Sequence, residues 1–173
     1  MQLNYIANAA TPSSSGRTIP VIDPSDGQPY DDIQRSNAQD VDTAVHAARQ
    51  CFDAVWSKVN AAERGRLLMK LSVKVAEHAD ELAAIEQRDC GKPTKQAKAD
   101  AAALARYFEF YAGACDKLHG DTIPYLDGYS VMTWREPHGV TGHIIPWNYP
   151  MQIFGRSVGG ALAAGNVSVV KPA

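Results

Sequence analysis

The stretch PHGVTGHIIPWNYPMQIFGRSVGGALAAGNVSVVKPA, from Pro137 to Ala173, decides the fold. Val140 to Ile145 is short, partly apolar and followed by a proline, which is typical of a buried strand. Pro150 suits the first position of a helix, because its fixed φ and missing N–H cost nothing there. Apolar residues then recur at helical spacing as far as Gly165-Asn166, and Val167 to Val170 forms a second apolar run. The stretch therefore predicts a parallel βαβ unit.

Two polar side chains follow the two predicted strands, at the edge where ligands of such sheets gather. Asn148 can donate to an oxyanion, although its position alone favours a simpler role as the cap of the following helix. Lys171 can reach the ribose or phosphate of a nucleotide, and the alternative is a solvated surface lysine. The sequence has no GxGxxG, so it does not predict a standard Rossmann phosphate loop.

Length and composition predict one ordinary globular domain. The chain has 173 residues, is 45% hydrophobic and carries a formal net charge of −2. That charge gives no basic field for nucleic acid or an anionic membrane, and no apolar run approaches a membrane span. There is no secretory signal pattern, and three dispersed cysteines predict reduced thiols in the cytoplasm. The five histidines have no metal-ligand spacing, so no metal site is predicted.

The residues before this stretch predict a hairpin arm and a helical layer. Thr18 to Ile22 and Pro29 to Gln34 flank a turn signal and predict a β-hairpin, with an extended surface arm as the alternative. Four amphipathic helices follow, with apolar stripes expected to pack on one another and on a sheet. They begin after Ser36 or Asn37, after Asn60, near Asp80 and at Pro93-Thr94, and the last is predicted to end at Gly120.

Three further features predict contacts. Tyr129 to Glu136 alternates like an exposed strand with apolar residues on both faces, which the chain itself or a second subunit must cover. The helix after Pro150 contains Gly155, Gly159 and Gly160, which predict a close approach to the sheet or to a ligand. Of the cysteines, Cys51 and Cys115 are predicted core residues, and Cys90 has a cationic neighbour, Lys92, that could lower its pKa, but no histidine suggests a base for it.

Several motifs in a fixed order resemble the aldehyde dehydrogenase superfamily, over about Val21 to Ala173. They are Ala61-Ala62-Glu63-Arg64-Gly65-Arg66-Leu67-Leu68, Asp89-Cys90-Gly91-Lys92-Pro93, Tyr111-Ala112-Gly113, Leu118-His119-Gly120, Arg135-Glu136-Pro137-His138-Gly139-Val140, Pro146-Trp147-Asn148-Tyr149-Pro150, Ala161-Leu162-Ala163-Ala164-Gly165-Asn166 and Val169-Val170-Lys171-Pro172-Ala173. The resemblance implies an α/β fold: an incomplete Rossmann-like parallel sheet of the cofactor domain, with N-terminal helices and a β-hairpin arm. Residues 1–173 would be the N-terminal part of that cofactor-binding domain.

The resemblance also implies oxidation of an aldehyde to a carboxylic acid with NAD or NADP. In this family a cysteine thiolate adds to the aldehyde, hydride passes to the nicotinamide, and water activated by a glutamate releases the acid. Asn148 matches the catalytic oxyanion donor, Lys171 the lysine that holds the adenosine ribose, and Tyr149 the substrate entrance. The cofactor-binding segment comprises Ile144, Ile145, Pro146, Trp147 and Asn148.

This sequence also departs from the family pattern. None of Cys51, Cys90 and Cys115 matches the family's nucleophile, which lies with the glutamate beyond the residues present, so we expect a gene fragment without the catalytic domain and without activity of its own. Many members carry Trp-Lys where this chain has Arg156-Ser157. Residues 129–136 resemble part of the family's oligomerisation sheet, which implies a homo-oligomer, dimer or tetramer, at full length. The alternative to an enzyme is a non-catalytic nucleotide-binding or interaction module.

Overall fold

Two antiparallel hairpins open the chain in the computed structural model, which describes residues 1–173. Their strands are β1 (Asn4–Ile6), β2 (Ala9–Thr11), β3 (Thr18–Ile22) and β4 (Pro29–Gln34). The β3–β4 pair confirms the predicted arm. The β1–β2 pair was not predicted, because its two-residue turn is Ala7-Asn8 at φ 51° and 62°, and alanine is not a turn signal.

Four helices form the next layer: α1 (Ala38–Ala54), α2 (Ala61–Glu77), α3 (Ala79–Cys90) and α4 (Thr94–Ala114). The predicted start of α1 is confirmed by a capping box, in which Asn37 accepts from the backbone of Asp40 and the Asp40 carboxylate accepts from the backbone of Asn37. Gly91 ends α3 at φ 67°, as a left-handed C-terminal residue. None of the helices is both long and apolar enough to cross a membrane.

The predicted end of α4 at Gly120 is wrong, because the helix stops at Ala114. The chain then turns towards two short strands, β5 (Thr122–Ile123) and β6 (Val131–Met132). A Cβ on Gly120 would lie 1.9 Å from the carbonyl oxygen of Thr133. This glycine therefore permits a close approach of two backbone segments instead of ending a helix.

The predicted strand over residues 129–136 is also shorter than expected. Only Val131 and Met132 pair with the antiparallel β5, and no other segment of the chain extends the ladder. Tyr129 and Trp134 remain exposed, Trp134 by 79%. Cover from within the chain, which the alternating pattern would need, is therefore not provided.

The core lies between α2, α4 and the crossover helix α5 (Pro150–Ala163). Its buried residues are Leu68, Val75, Leu104, Phe108, Cys115 and Ala163. The predicted α4 stripe is confirmed from Ala101 to Cys115, but Leu118 at its predicted end is 55% exposed, and the other stripes are only partly buried. Leu67 and Leu71 of α2 and Val41 of α1 are exposed, as is Cys51. Periodicity marks an apolar face correctly but does not say which edge of that face a neighbouring helix covers.

The βαβ unit forms as predicted. Strands β7 (Val140–Ile144) and β8 (Val167–Lys171) are parallel, in a register that pairs Val140 with Val167 and Ile144 with Lys171. The glycines of α5 permit a close approach to α4, not to the sheet or a ligand. A Cβ on Gly159 would meet the Tyr111 ring at 2.6 Å, and one on Gly155 would meet Leu104 at 2.9 Å.

Candidate functional site

The carboxyl ends of β7 and β8 lie side by side, as the sequence predicts. Ile144 is the register partner of Lys171, and the N–H of Ile145 donates to the carbonyl of Lys171 at 3.0 Å. Ile144 is 83% exposed and Trp147 is 76% exposed, while the exposed Lys171 has no ion-pair partner within the chain. The edge thus offers an apolar surface and a free cation together, a combination that fits a dinucleotide.

The predicted cofactor segment is not uniform in its exposure. The Ile145 side chain is only 4% exposed and belongs to the core, whereas Ile144 and Pro146 on either side of it are exposed. Ile145 can therefore present only backbone to a ligand. The side chains that reach outward are those of Ile144, Pro146, Trp147 and Asn148.

Asn148 is not the cap of α5, which was the simpler explanation of this residue. The N-cap is Tyr149, and no side chain of the loop accepts from the first turn of the helix. Asn148 is exposed, and its side-chain amide has no hydrogen-bond partner within the chain. A free amide between a strand end and a helix start is available to donate to a ligand oxygen.

The loop Pro146–Pro150 is attached to the corner between α3 and α4, which sequence reasoning missed. The Cys90 thiol donates to the carbonyl oxygen of Trp147 at 3.0 Å, and Lys92 Nζ lies 4.8 Å from the centre of the Tyr149 ring. The only hint in the sequence is the position of Lys92, one residue before the proline that opens α4. Nothing in the spacing indicates that this corner meets a loop more than fifty residues away.

The cation of Lys92 does not activate the Cys90 thiol. Burial raises the pKa of the Cys90 thiol, and the opposing effect of Lys92 does not overcome it. Lys92 already contacts the carboxylates of Glu86 and Asp100, and those negative charges also raise the thiol pKa. Burial raises the pKa of Cys115 as well. Neither thiol is poised as a nucleophile.

A second polar group lies between β7 and α5, where the sequence departs from the Trp-Lys pattern. Ser157 Oγ is 2.5 Å from His143 Nδ1, and Thr141 Oγ1 is 2.9 Å from His143 Nε2. The Thr141 hydroxyl donates to the carbonyl of Val167, so it accepts from Nε2–H and Nδ1 accepts from Ser157. Burial lowers the pKa of His143. The lowered pKa favours the neutral imidazole, whose unprotonated Nδ1 faces Ser157.

Comparisons with known proteins agree on one family. The aldehyde dehydrogenase family model matches residues 10–173. The aldehyde dehydrogenase [NAD(P)+] 2 of Saccharomyces cerevisiae is 44% identical over 171 residues, covering 98% of this chain and 34% of the relative. Among solved structures, a protein from Burkholderia cenocepacia described as an aldehyde dehydrogenase has 66% identity and a TM-score of 0.97, covering 99% of this chain and 36% of that chain.

A structure of PnpE in complex with nicotinamide adenine dinucleotide is also similar. It has 40% identity and a TM-score of 0.94, covering 99% of this chain and 36% of that chain. The chain therefore spans about a third of the length of the relatives that it matches.

Proposed function

Because the chain belongs to the aldehyde dehydrogenase family, we propose that the whole protein oxidises an aldehyde to a carboxylic acid with NAD or NADP. This chain supplies the cofactor-binding edge and the oxyanion donor. The observation that carries the proposal is the register of β7 on β8, which sets Ile144 beside Lys171 at the start of the loop that bears Asn148. Residues 1–173 are then the N-terminal part of the cofactor-binding domain.

The exposed side chains at the carboxyl ends of β7 and β8 form the proposed cofactor-binding edge. Ile144 and Trp147 supply an apolar surface for the flat and apolar parts of a dinucleotide, and Lys171 supplies a cation for the hydroxyls of its adenosine ribose. Ile145 and Pro146 contribute backbone and a rigid connection to the loop. When bound, NAD(P)+ supplies the hydride acceptor for the oxidation.

Asn148 acts on the substrate oxygen. As a nucleophile adds to the aldehyde, negative charge develops on the carbonyl oxygen, and an amide N–H that is already oriented stabilises it without reorganisation. The free amide of Asn148 meets this requirement, and Tyr149 beside it lies at the substrate entrance. The raised pKa values of Cys90 and Cys115 make both thiols poor nucleophiles, so we assign neither of them to the attack.

The proposal also covers the oligomeric state and the cellular compartment of the whole protein. The exposed apolar side chains of residues 129–136 favour contact with a second copy of the protein, and we assign this segment to a homo-oligomer interface. The three free cysteines favour a reducing compartment, which we take to be the cytoplasm.

A chimera tests the activity. The chain replaces the corresponding N-terminal residues of the Burkholderia cenocepacia protein, which is 66% identical to it, and aldehyde-dependent NAD(P)H formation is followed by absorbance. We expect an active chimera. Asn148→Ala should lower kcat by about 100- to 1000-fold, as removal of an oxyanion donor does, with little change in the KM for cofactor.

The outcomes separate the two functions considered. A folded chimera that binds NAD but forms no NAD(P)H with any aldehyde contradicts the enzyme and supports a nucleotide-binding module. A chimera whose kcat is unchanged by Asn148→Ala contradicts the role assigned to that amide.

A further inference from the structure

Three charged side chains are buried together where α3, α4 and α5 meet. Lys92 Nζ lies 3.0 Å from Glu86 Oε1 and 2.7 Å from Asp100 Oδ2. The side chains are 10%, 3% and 0% exposed respectively. We call Glu86, Lys92 and Asp100 the corner cluster, because Lys92 occupies the turn between α3 and α4.

Stability alone does not account for the corner cluster. Burying ions costs desolvation energy, and an apolar replacement of similar volume is often as stable. Two carboxylates with one ammonium also leave a net negative charge, and Glu86 Oε2 is buried without any partner. Such a cluster can instead select one arrangement of the segments around it, since each displaced segment would leave a charge unpaired.

The segment selected here is the start of α5. This helix lacks a side-chain cap of its own, and Pro150 at its first position has no N–H. Glu86 Oε1 accepts the N–H of Met151 at 3.4 Å, so a carboxylate from α3 takes the place of the missing cap. The partial positive charge of the helix N-terminus also balances the excess negative charge of the cluster.

The contacts continue on both sides of Asn148. Gln152 donates its amide to Asp100 Oδ1 at 2.7 Å, the Tyr149 ring packs on Lys92, and the Trp147 carbonyl accepts from Cys90. Of the residues that flank Asn148, Tyr149 is therefore held by the corner cluster and Trp147 by Cys90 beside the cluster, while the Asn148 side chain remains free. A loop anchored on each side of one free amide is preorganised for that amide to act.

We propose that the corner cluster is a positioning device for the loop Pro146–Pro150, with Lys92 as its central group. It holds Asn148 and Trp147 in the orientation that the oxyanion and the cofactor require. This inference deepens the proposed function and rests on it for the purpose of the loop, but the anchoring itself can be tested without cofactor.

Asp100→Asn is the deciding substitution. Asp100 uses both carboxylate oxygens, Oδ2 for Lys92 and Oδ1 for the amides of Gln96 and Gln152. Asparagine has a single acceptor oxygen, so Lys92 on one side or the two glutamine amides on the other must turn away or flip. Asp80→Asn is the matched control, because Asp80 forms an exposed ion pair with Lys98 at 2.9 Å.

Two readouts follow the loop in the 173-residue chain. The chain is labelled with 5-fluorotryptophan, and the ¹⁹F resonance of Trp147 is assigned among the three tryptophans by Trp147→Phe. Amide hydrogen exchange is measured over residues 151–153. We expect Asp100→Asn to shift the Trp147 resonance and to speed this exchange by about tenfold or more, and Asp80→Asn to change neither.

The inference is overturned if the Trp147 resonance and the exchange rates of Asp100→Asn equal those of the wild type. A purely stabilising cluster would give that result, with only a lower melting temperature. If Asp100→Asn does not fold by circular dichroism, Gln152→Leu decides by the same two readouts. It removes one donor to Asp100 and leaves the ion pairs in place.

An NAD titration then separates the two proposals. If the chimera binds NAD, Asp100→Asn in that chimera should raise the apparent Kd about tenfold. This is the increase expected when the loop occupies its working position only a tenth of the time. Failure of the chimera described above to bind NAD contradicts the proposed function and leaves the Trp147 result in the 173-residue chain to judge the positioning. An unchanged Trp147 signal contradicts the positioning whatever the affinity for NAD.

Discussion

The structure changes the interpretation of two residues, Asn148 and Lys171. On position alone, Asn148 is better explained as a helix cap and Lys171 as a solvated surface lysine. The structure removes the first explanation, since Tyr149 is the N-cap and the Asn148 amide is free. It leaves Lys171 beside the exposed Ile144, without an ion partner, at the edge where both strands end. Each residue is thus available for a ligand.

Lys171 should contribute to cofactor affinity. We expect Lys171→Met to raise the Kd for NAD by about tenfold or more, because a charge-assisted hydrogen bond contributes roughly 1.5–3 kcal/mol. Isothermal titration calorimetry measures the change. Lys70→Met, at an exposed position of α2, is the control and should leave the Kd as it is. Equal affinities of the two variants would contradict the role of Lys171.

His143 should make stability depend on pH. Burial lowers its folded-state pKa below the ordinary value of about 6.5, so the unfolded chain binds the proton more readily. Its contribution is therefore fully present above about pH 6.5, declines as the pH falls below that value, and is lost once the pH is below the folded-state pKa. His143→Gln keeps a hydrogen-bonding side chain that does not titrate.

Urea denaturation at a series of pH values checks this expectation. The free energy of unfolding of the wild type should fall more steeply than that of His143→Gln as the pH is lowered from about 7 towards 5. Parallel curves over this range would show that His143 has the same pKa in the folded and unfolded chain.

Among the elements, the ends of the helices were predictable where one side chain decides them. Asn37 at the start of α1 and Gly91 at the end of α3 act through local chemistry that is visible in the sequence. The end of α4 was not predictable, because Gly120 serves a contact with Thr133, which is distant in sequence. Local signals were reliable for local structure, and one glycine used for a close approach, Gly120, was misread as a helix end.

The candidate site was likewise predictable only in part. The sequence places Asn148 and Lys171 at one sheet edge, since the carboxyl ends of neighbouring parallel strands meet there. It does not reveal the anchoring of that loop by Glu86, Lys92 and Asp100. Those residues come from α3, the turn after it and α4, and the packing of these elements against α5 brings them to the loop.

The capping box of α1 allows a direct measurement. Asn37→Ala removes the acceptor for two backbone N–H groups and should lower the free energy of unfolding by about 1 kcal/mol. Gln39→Ala, at an exposed position of the first turn, should change it by less than about 0.5 kcal/mol. A loss of equal size in both variants would mean that Asn37 does not act as a cap.

The 173-residue chain, about a third of the length of its relatives, has more surface than a compact monomer of its mass. Its accessible surface is 11225 Å² at 18.7 kDa, against about 8,300 Å² for a compact monomer of that mass. The exposed surface includes the large apolar side chains of Trp134, Tyr129, Met132 and the cofactor-edge residues Trp147 and Ile144. Surface of this kind favours association.

We therefore expect the chain to self-associate through residues 129–136. Sedimentation velocity should show a weight-average mass that rises with concentration. Met132→Glu should return it towards the monomer, because a carboxylate on a paired edge strand opposes strand addition. Val73→Ser, at an exposed apolar position of α2, is the control. A wild-type chain that stays monomeric at all concentrations would contradict the interface.

The close packing of α5 on α4 also constrains how this protein can diverge among its relatives. There is no room at position 159 for a side chain while Tyr111 keeps its place, since an added Cβ would lie 2.6 Å from the ring. The two positions should therefore covary: a homologue with a larger residue at 159 should have a smaller one at 111. Gly159 and Tyr111 would then be inherited as a pair, and a lineage could change one only through an unstable intermediate or after losing the other.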